Sequence, residues 1–214
     1  MFKKVLNHSL LISFGFICLL LIRPASANVS LVVLGDSLSA GYGISQADTW
    51  VAEIERRWQR DYPEFSIINA SISGDTTQGG LNRLADVVER HQPDAVFIEL
   101  GGNDGLRGFR VDTIRDNLSQ MIDYLHGQGI YVALSQIEIP PNMGRRYTSQ
   151  FSGLFAEVAE AHEIALVPFF MIDIATDSTL MQSDGIHPNL AAQPVIADIM
   201  EPKLREILER VADL

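Results

Sequence analysis

In Val32-Val33-Leu34-Gly35-Asp36-Ser37-Leu38-Ser39 an apolar, β-branched run stops abruptly at Gly-Asp-Ser. Such a run reads as a buried strand, Val29 to Leu34, that ends on a turn and lifts a small hydroxyl to the rim of a sheet. Outward from it the pattern repeats. Trp50 to Arg60 is predicted as a helix, because Trp50, Ile54 and Trp58 recur every fourth residue on one face. Tyr62-Pro63 signals a turn before a strand at Phe65 to Asn69. Thr77 to His91 is a second helix with Leu81, Leu84 and Val88 inward, and Pro93 leads into a strand at Ala95 to Leu100. Val111 to His126 is a third helix, closed by Gly127 and Gly129. Strands at Ile130 to Leu134 and Ile164 to Val167 flank a helix at Thr148 to His162. Ala191 to Leu214 reads as mostly helical, with Pro194 and Pro202 each beginning or kinking a segment.

Strands that alternate with helices imply an α/β domain with a mainly parallel five-stranded sheet, covered on both faces. Right-handed crossovers carry every strand's C-terminal end to one edge, where ligands bind. Four loops converge there: Gly35-Asp36-Ser37, Ser73-Gly74-Asp75, Gly101-Gly102-Asn103-Asp104 and Asp184-Gly185-Ile186-His187-Pro188. A serine hydroxyl is a weak nucleophile until an imidazole takes its proton, and His187 is placed to do so. Asp184, three residues earlier, reaches the other ring nitrogen if the segment turns. A tetrahedral intermediate needs donors for its oxyanion; Gly74 allows a close backbone N–H, and Asn103 carries an amide. Taken singly, each residue has a plainer reading: Ser37 as a helix N-cap, Asp184 and Gly74 as turn residues, Asn103 as an Asx-turn. Their joint placement on one rim favours acyl transfer. The order Ser, Asp, His suits an α/β hydrolase, yet the Gly-x-Ser-x-Gly elbow is missing.

Other chemistries fare worse. Gly35, Gly41 and Gly43 lack dinucleotide-site spacing. Asp184 and His187 offer two metal ligands without a clear third. Arg145-Arg146 reads equally as a phosphate contact or a solvated pair. Lys3 and Lys4, the apolar run Ser9 to Ile22 and the small-x-small Ala25-Ser26-Ala27 mark residues 1–27 as a secretory signal, with an uncleaved anchor as the alternative. Its removal takes three cations and the only cysteine, Cys18, and moves the formal charge from −11 to −14. Disulfides are then excluded, and so acidic a surface repels nucleic acid and anionic membranes. Residues 28–214 suit a single domain, expected as a monomer in the periplasm or outside the cell, with no stable membrane anchor.

The blocks Gly35-Asp36-Ser37-Leu38, Gly74, Asn103 within Gly102-x-Asp104, and Asp184-x-x-His187 resemble the SGNH hydrolase superfamily, also called GDSL esterases. Asn69 to Thr76, Leu100 to Gly108, Gly144-Arg145-Arg146-Tyr147 and Pro168-Phe169-Phe170-Met171 extend the likeness to its branch of bacterial periplasmic thioesterases and lysophospholipases. The resemblance implies a flavodoxin-like three-layer α/β/α sandwich without metal or organic cofactor. It implies Ser37 as nucleophile, with its own backbone N–H in the oxyanion hole beside Gly74 and Asn103. It makes His187 the base and Asp184 its partner. The expected substrate is a small single-chain acyl ester or thioester, with an acetylated carbohydrate or a non-catalytic binding role as alternatives. Tyr42, Leu106, Phe109, Ile139, Met143 and Phe151 are candidates to line the acyl groove, with core packing as the other reading.

Overall fold

The chain alternates in burial as it alternates in sequence. The computed structural model describes residues 28–213; the secretory signal expected over residues 1–27 lies outside them. Strand β1 (Val29–Gly35) sends Leu31 and Val33 to one face and Val32 and Leu34 to the other, all four fully buried. That is the two-residue period of a strand buried on both sides. Strands β2 (Phe65–Asn69), β3 (Ala95–Glu99), β4 (Tyr131–Ser135) and β5 (Ala165–Val167) join it in the order β2-β1-β3-β4-β5. Every pairing is parallel, so the expected mainly parallel sheet is wholly so.

After β1 comes the short helix α1 (Ser37–Ala40), then α2 (Trp50–Asp61), α3 (Thr77–His91), the short α4 (Gly102–Leu106), α5 (Val111–Gly127), α6 (Arg145–Ala161), the short α7 (Met171–Ile174) and α8 (Ala192–Ala212). Helices α2, α7 and α8 cover one sheet face through Trp50, Ile54, Trp58, Ile174, Ile196 and Leu204. Helices α3, α5 and α6 cover the other through Leu84, Leu118, Ile122, Leu154, Phe155 and Val158. Each fully buried side chain of this size contributes about 1.5–3 kcal/mol relative to exposure. Three layers result, and Leu81 and Val88 pack at the edge of the second, half-buried.

Two differences from the sequence reading have local causes. Helix α6 begins three residues early, because Gly144 turns the chain at φ 94° directly before Arg145. Pro202 neither begins nor breaks a segment: α8 runs through it, with the proline on the exposed face. Pro194 falls in the first turn of α8, where the missing N–H has no helical partner to lose. The short helices α1, α4 and α7 are absent from the sequence reading. No described helix is long and apolar enough to cross a membrane. The order of the strands reverses between β1 and β3, and the loops after those two strands diverge there to leave a crevice.

Candidate active site

Ser37 stands at that crevice. Asp36 caps α1, its Oδ1 accepting the Leu38 N–H at 3.1 Å, so Ser37 is the first helical residue rather than the cap. The Ser37 Oγ lies 2.9 Å from His187 Nε2, and His187 Nδ1 lies 2.7 Å from Asp184 Oδ2. The other Asp184 oxygen accepts the backbone N–H groups of Ile186 at 2.9 Å and His187 at 3.0 Å. The bond from the His187 backbone, its imidazole and the Ile186 N–H together hold the Asp184 carboxyl down at about 2. It is therefore anionic at neutral pH. With an Nδ1 proton directed to that anion, Nε2 is left as an acceptor for the Ser37 hydroxyl.

The acid-base loop is braced from several sides. Gly185, at φ 67°, makes the tight turn that folds Asp184 back onto His187. The Gln182 backbone N–H donates to the His187 carbonyl at 2.8 Å, and Met181 bridges Pro188. Gln182 Nε2 donates to the Tyr42 carbonyl at 2.7 Å, tying this loop to the segment after α1. The Tyr42 ring lies over the imidazole, centroids 4.4 Å apart.

Asn103 enters from α4. Its Nδ2 donates to Asp36 Oδ2 at 3.0 Å, leaving a second N–H on the same nitrogen. Asp104, the next residue, is buried and accepts both the N–H and the hydroxyl of Thr77, at 2.9 and 2.6 Å. Burial raises its carboxyl above the ordinary range, against those two bonds. This pins α4 to the start of α3. Gly74 sits in the turn between β2 and α3 at φ 81°, and its carbonyl accepts from Arg107 at 3.1 Å.

Beneath Ser37 lies a pair of acids that the sequence reading missed. Glu99, at the end of β3, is fully buried. Its Oε2 accepts from the Ser39 hydroxyl at 2.7 Å, while its Oε1 has no partner among the described residues. Gly35 must lack a side chain here, because a Cβ would stand 2.7 Å from Glu99 Oε2 and 2.8 Å from Ser71 Oγ. Burial, then the Asp36 charge, push the Glu99 carboxyl well above its usual range. Burial likewise lifts Asp36 to about 6, opposed by the Leu38 N–H and the Asn103 amide. An acid inside the apolar run Ala95 to Leu100 was the available signal.

A cavity of about 440 Å³ opens beside Ser37, Asn103 and His187. Of the sequence candidates for its wall, Leu106 and Ile139 border it. Phe109 instead lines a separate depression with Arg110 and Tyr147, because the Gly108 turn carries it away. Met143 packs against the core cluster of the α3–α5–α6 face, and Phe151 is buried within that core. Tyr42 covers the imidazole rather than the cavity. Ile137, at the start of the same loop as Ile139, also borders it, and the wall is completed by residues that the sequence did not assign to it, notably Ile172, Ala175, Met181 and Ile186. Asp184 and His187 are engaged with each other, and no three metal-ligating side chains converge among the described residues.

Comparison with known proteins gives concordant matches. Residues 33–193 match the GDSL-like Lipase/Acylhydrolase family. The chain is 44% identical to thioesterase 1/protease 1/lysophospholipase L1 of Escherichia coli (strain K12), over 91% of this chain and 92% of that protein. It is 42% identical to an arylesterase of Vibrio mimicus, over 88% and 94% of the two chains. Among solved structures, psychrotrophic esterase EstA from Pseudoalteromonas sp., inhibited by monoethylphosphonate, superposes with a TM-score of 0.82 at 42% identity. That match covers 84% of this chain and 98% of the other. Since the family match runs from β1 into the first turn of α8 and so spans every loop of the rim, this chain belongs to the GDSL-like lipase/acylhydrolase family.

Proposed function

We propose that the protein is a serine esterase and thioesterase that hydrolyses single-chain acyl substrates through an acyl-enzyme. The observation that carries this reading is the Ser37–His187–Asp184 relay opening on an apolar cavity. Ser37 Oγ attacks the acyl carbonyl while His187 Nε2 takes its proton, and the anionic Asp184 stabilises the imidazolium. The backbone N–H groups of Ser37 and Gly74 and the free N–H of Asn103 receive the oxyanion. His187 then returns the proton to the leaving alcohol or thiol. Water, deprotonated by the same nitrogen, attacks the acyl-serine and frees the acid.

The cavity favours an alkyl chain over an acetyl group, since Leu106, Ile137, Ile139, Ile172 and Met181 line it. The names of the relatives, thioesterase, lysophospholipase and arylesterase, agree with such a site. Residues 1–27 act as an export signal in this reading, and the domain works as a monomer in the periplasm or beyond. A fluorophosphonate probe should label Ser37 alone. Ser37→Ala and His187→Ala should each lower kcat by about 10⁴ or more with the fold intact, because the relay acts as a unit. Labelling of Ser73, or a tenth of normal turnover in either variant, overturns the assignment.

A further inference from the structure

Among the described residues, nine large hydrophobic side chains are exposed, and their placement is uneven. The loops after β1, β2 and β3 contribute Tyr42, Ile72, Leu106 and Phe109. The chain after β5 contributes Ile172, Ile186 and Leu190, and Val195 lies in the first turn of α8. Only Leu166, on the edge strand β5, stands away from the C-terminal rim of the sheet. Scattered exposed apolar residues are ordinary, whereas a concentration at one end marks an interaction surface. Three of the eight, Leu106, Ile172 and Ile186, also border the cavity, so its mouth continues into the apolar ring.

Charge narrows what this rim meets. The described residues carry 13 Lys and Arg against 27 Asp and Glu, so an anionic bilayer repels the molecule as a whole. Yet Arg107 and Arg110 flank the exposed Phe109, and Arg145 and Arg146 begin α6, all four exposed. The Tyr147 hydroxyl donates to the Phe109 carbonyl at 2.7 Å and so fastens these two arginine-bearing segments together. Apolar side chains, arginines beside them and an acidic remainder fit a surface with phosphates but no net charge.

Resting on the hydrolase reading above, we infer that the rim docks on zwitterionic phospholipid surfaces and receives its acyl substrate from them. The apolar ring enters the boundary between headgroups and acyl chains, the arginines meet headgroup phosphates, and the cavity faces the lipid. Contact is peripheral and reversible, because loops and not a spanning helix make it.

The test uses the full chain in a Cys18→Ser background, with an environment-sensitive fluorophore on Ile72→Cys, on Leu190→Cys, or on Gln128→Cys at the opposite end of the sheet. With phosphatidylcholine vesicles, the labels at 72 and 190 should shift to the blue and the label at 128 should not. No shift at the rim, or an equal shift at 128, overturns the inference. So does a rim shift that follows protein concentration without lipid, which would make the rim a self-association face, or a stronger shift on phosphatidylglycerol-rich vesicles. The combined Ile72→Ser, Phe109→Ser, Leu190→Ser variant should lose about tenfold or more in turnover of vesicle-borne lysophosphatidylcholine. Its turnover of a dispersed short-chain ester should match the parent's. An equal loss on both substrates counts against docking. A parent protein inactive on the dispersed ester sinks the hydrolase reading instead, whatever the labels report.

Discussion

Glu99→Gln tests whether the floor beneath Ser37 is neutral. The Glu99 carboxyl is fully buried, no cation among the described residues touches it, and Asp36 stands beside it as a second buried acid. Its folded pKa is therefore raised above the ordinary 4.5, so between those values the folded protein holds a proton that the unfolded chain releases. The stability tied to that proton is complete below about 4.5 and declines as pH rises toward the folded pKa. Glutamine has no proton to lose. Relative to wild type, Glu99→Gln should gain roughly 1 kcal/mol of unfolding free energy per pH unit above that onset, levelling where the folded acid ionises. Its amide nitrogen replaces the partnerless Oε1, which adds a pH-independent offset of about 1–3 kcal/mol at most. The slope of the difference is thus the quantity to read. Urea unfolding of both proteins, at several pH values between about 5 and about 8, supplies it. Curves that stay parallel across that range would mean that Glu99 ionises as freely in the fold as outside it, and the reasoning fails.

Three further outcomes follow from the same geometry. Asn103→Ala should lower kcat by about 10²–10³ with little change in KM. Because the amide also serves Asp36, it should cost about 1.5–3 kcal/mol of stability as well, and a stable, fully active variant excludes Asn103 from the oxyanion hole. Gln193→Ala should destabilise the fold by about 1–3 kcal/mol in chemical unfolding, since it orphans the buried Trp50 backbone N–H, which donates to Gln193 Oε1 at 2.9 Å. Ala175→Phe should fill part of the cavity and move the optimum of kcat/KM toward shorter acyl chains across an ester series; an unchanged chain-length profile would place the acyl group elsewhere.

Long elements were legible because their burial has a period. Trp50, Ile54 and Trp58 mark α2, and the β-branched runs mark strands wherever both faces are covered. Helices α1 and α4 were not legible, since four or five residues show no period and Gly102-Asn103-Asp104-Gly105 reads as a turn. What holds them helical is the local Asp36 cap in one case and the buried, tertiary Asp104–Thr77 bonds in the other. The proximity of Ser37 and His187 was legible from topology alone, because parallel strands deliver their ends to one edge. The cavity wall was legible only in part. Phe169 to Ile174 is apolar but for Asp173, and sequence cannot say that Met171 and Ile174 pack inward while Ile172 stands out at the cavity. Phe109 and Met143 lie close by in sequence, yet the Gly108 turn and the turn at 141–143 direct them elsewhere.

Ser37 and His187 enter the chain 150 residues apart, and all five strands are complete by Val167. A chain built from its N-terminus thus carries Ser37, the proposed nucleophile, from the outset and receives His187, its proposed proton acceptor, almost last. The loop that bears His187 leads directly into α8, whose Ile196, Met200 and Leu204 seat it against the sheet. Turnover therefore reports that the final helix has docked. In the hydrolase reading, a growing chain therefore gains its activity only as its last helix seats.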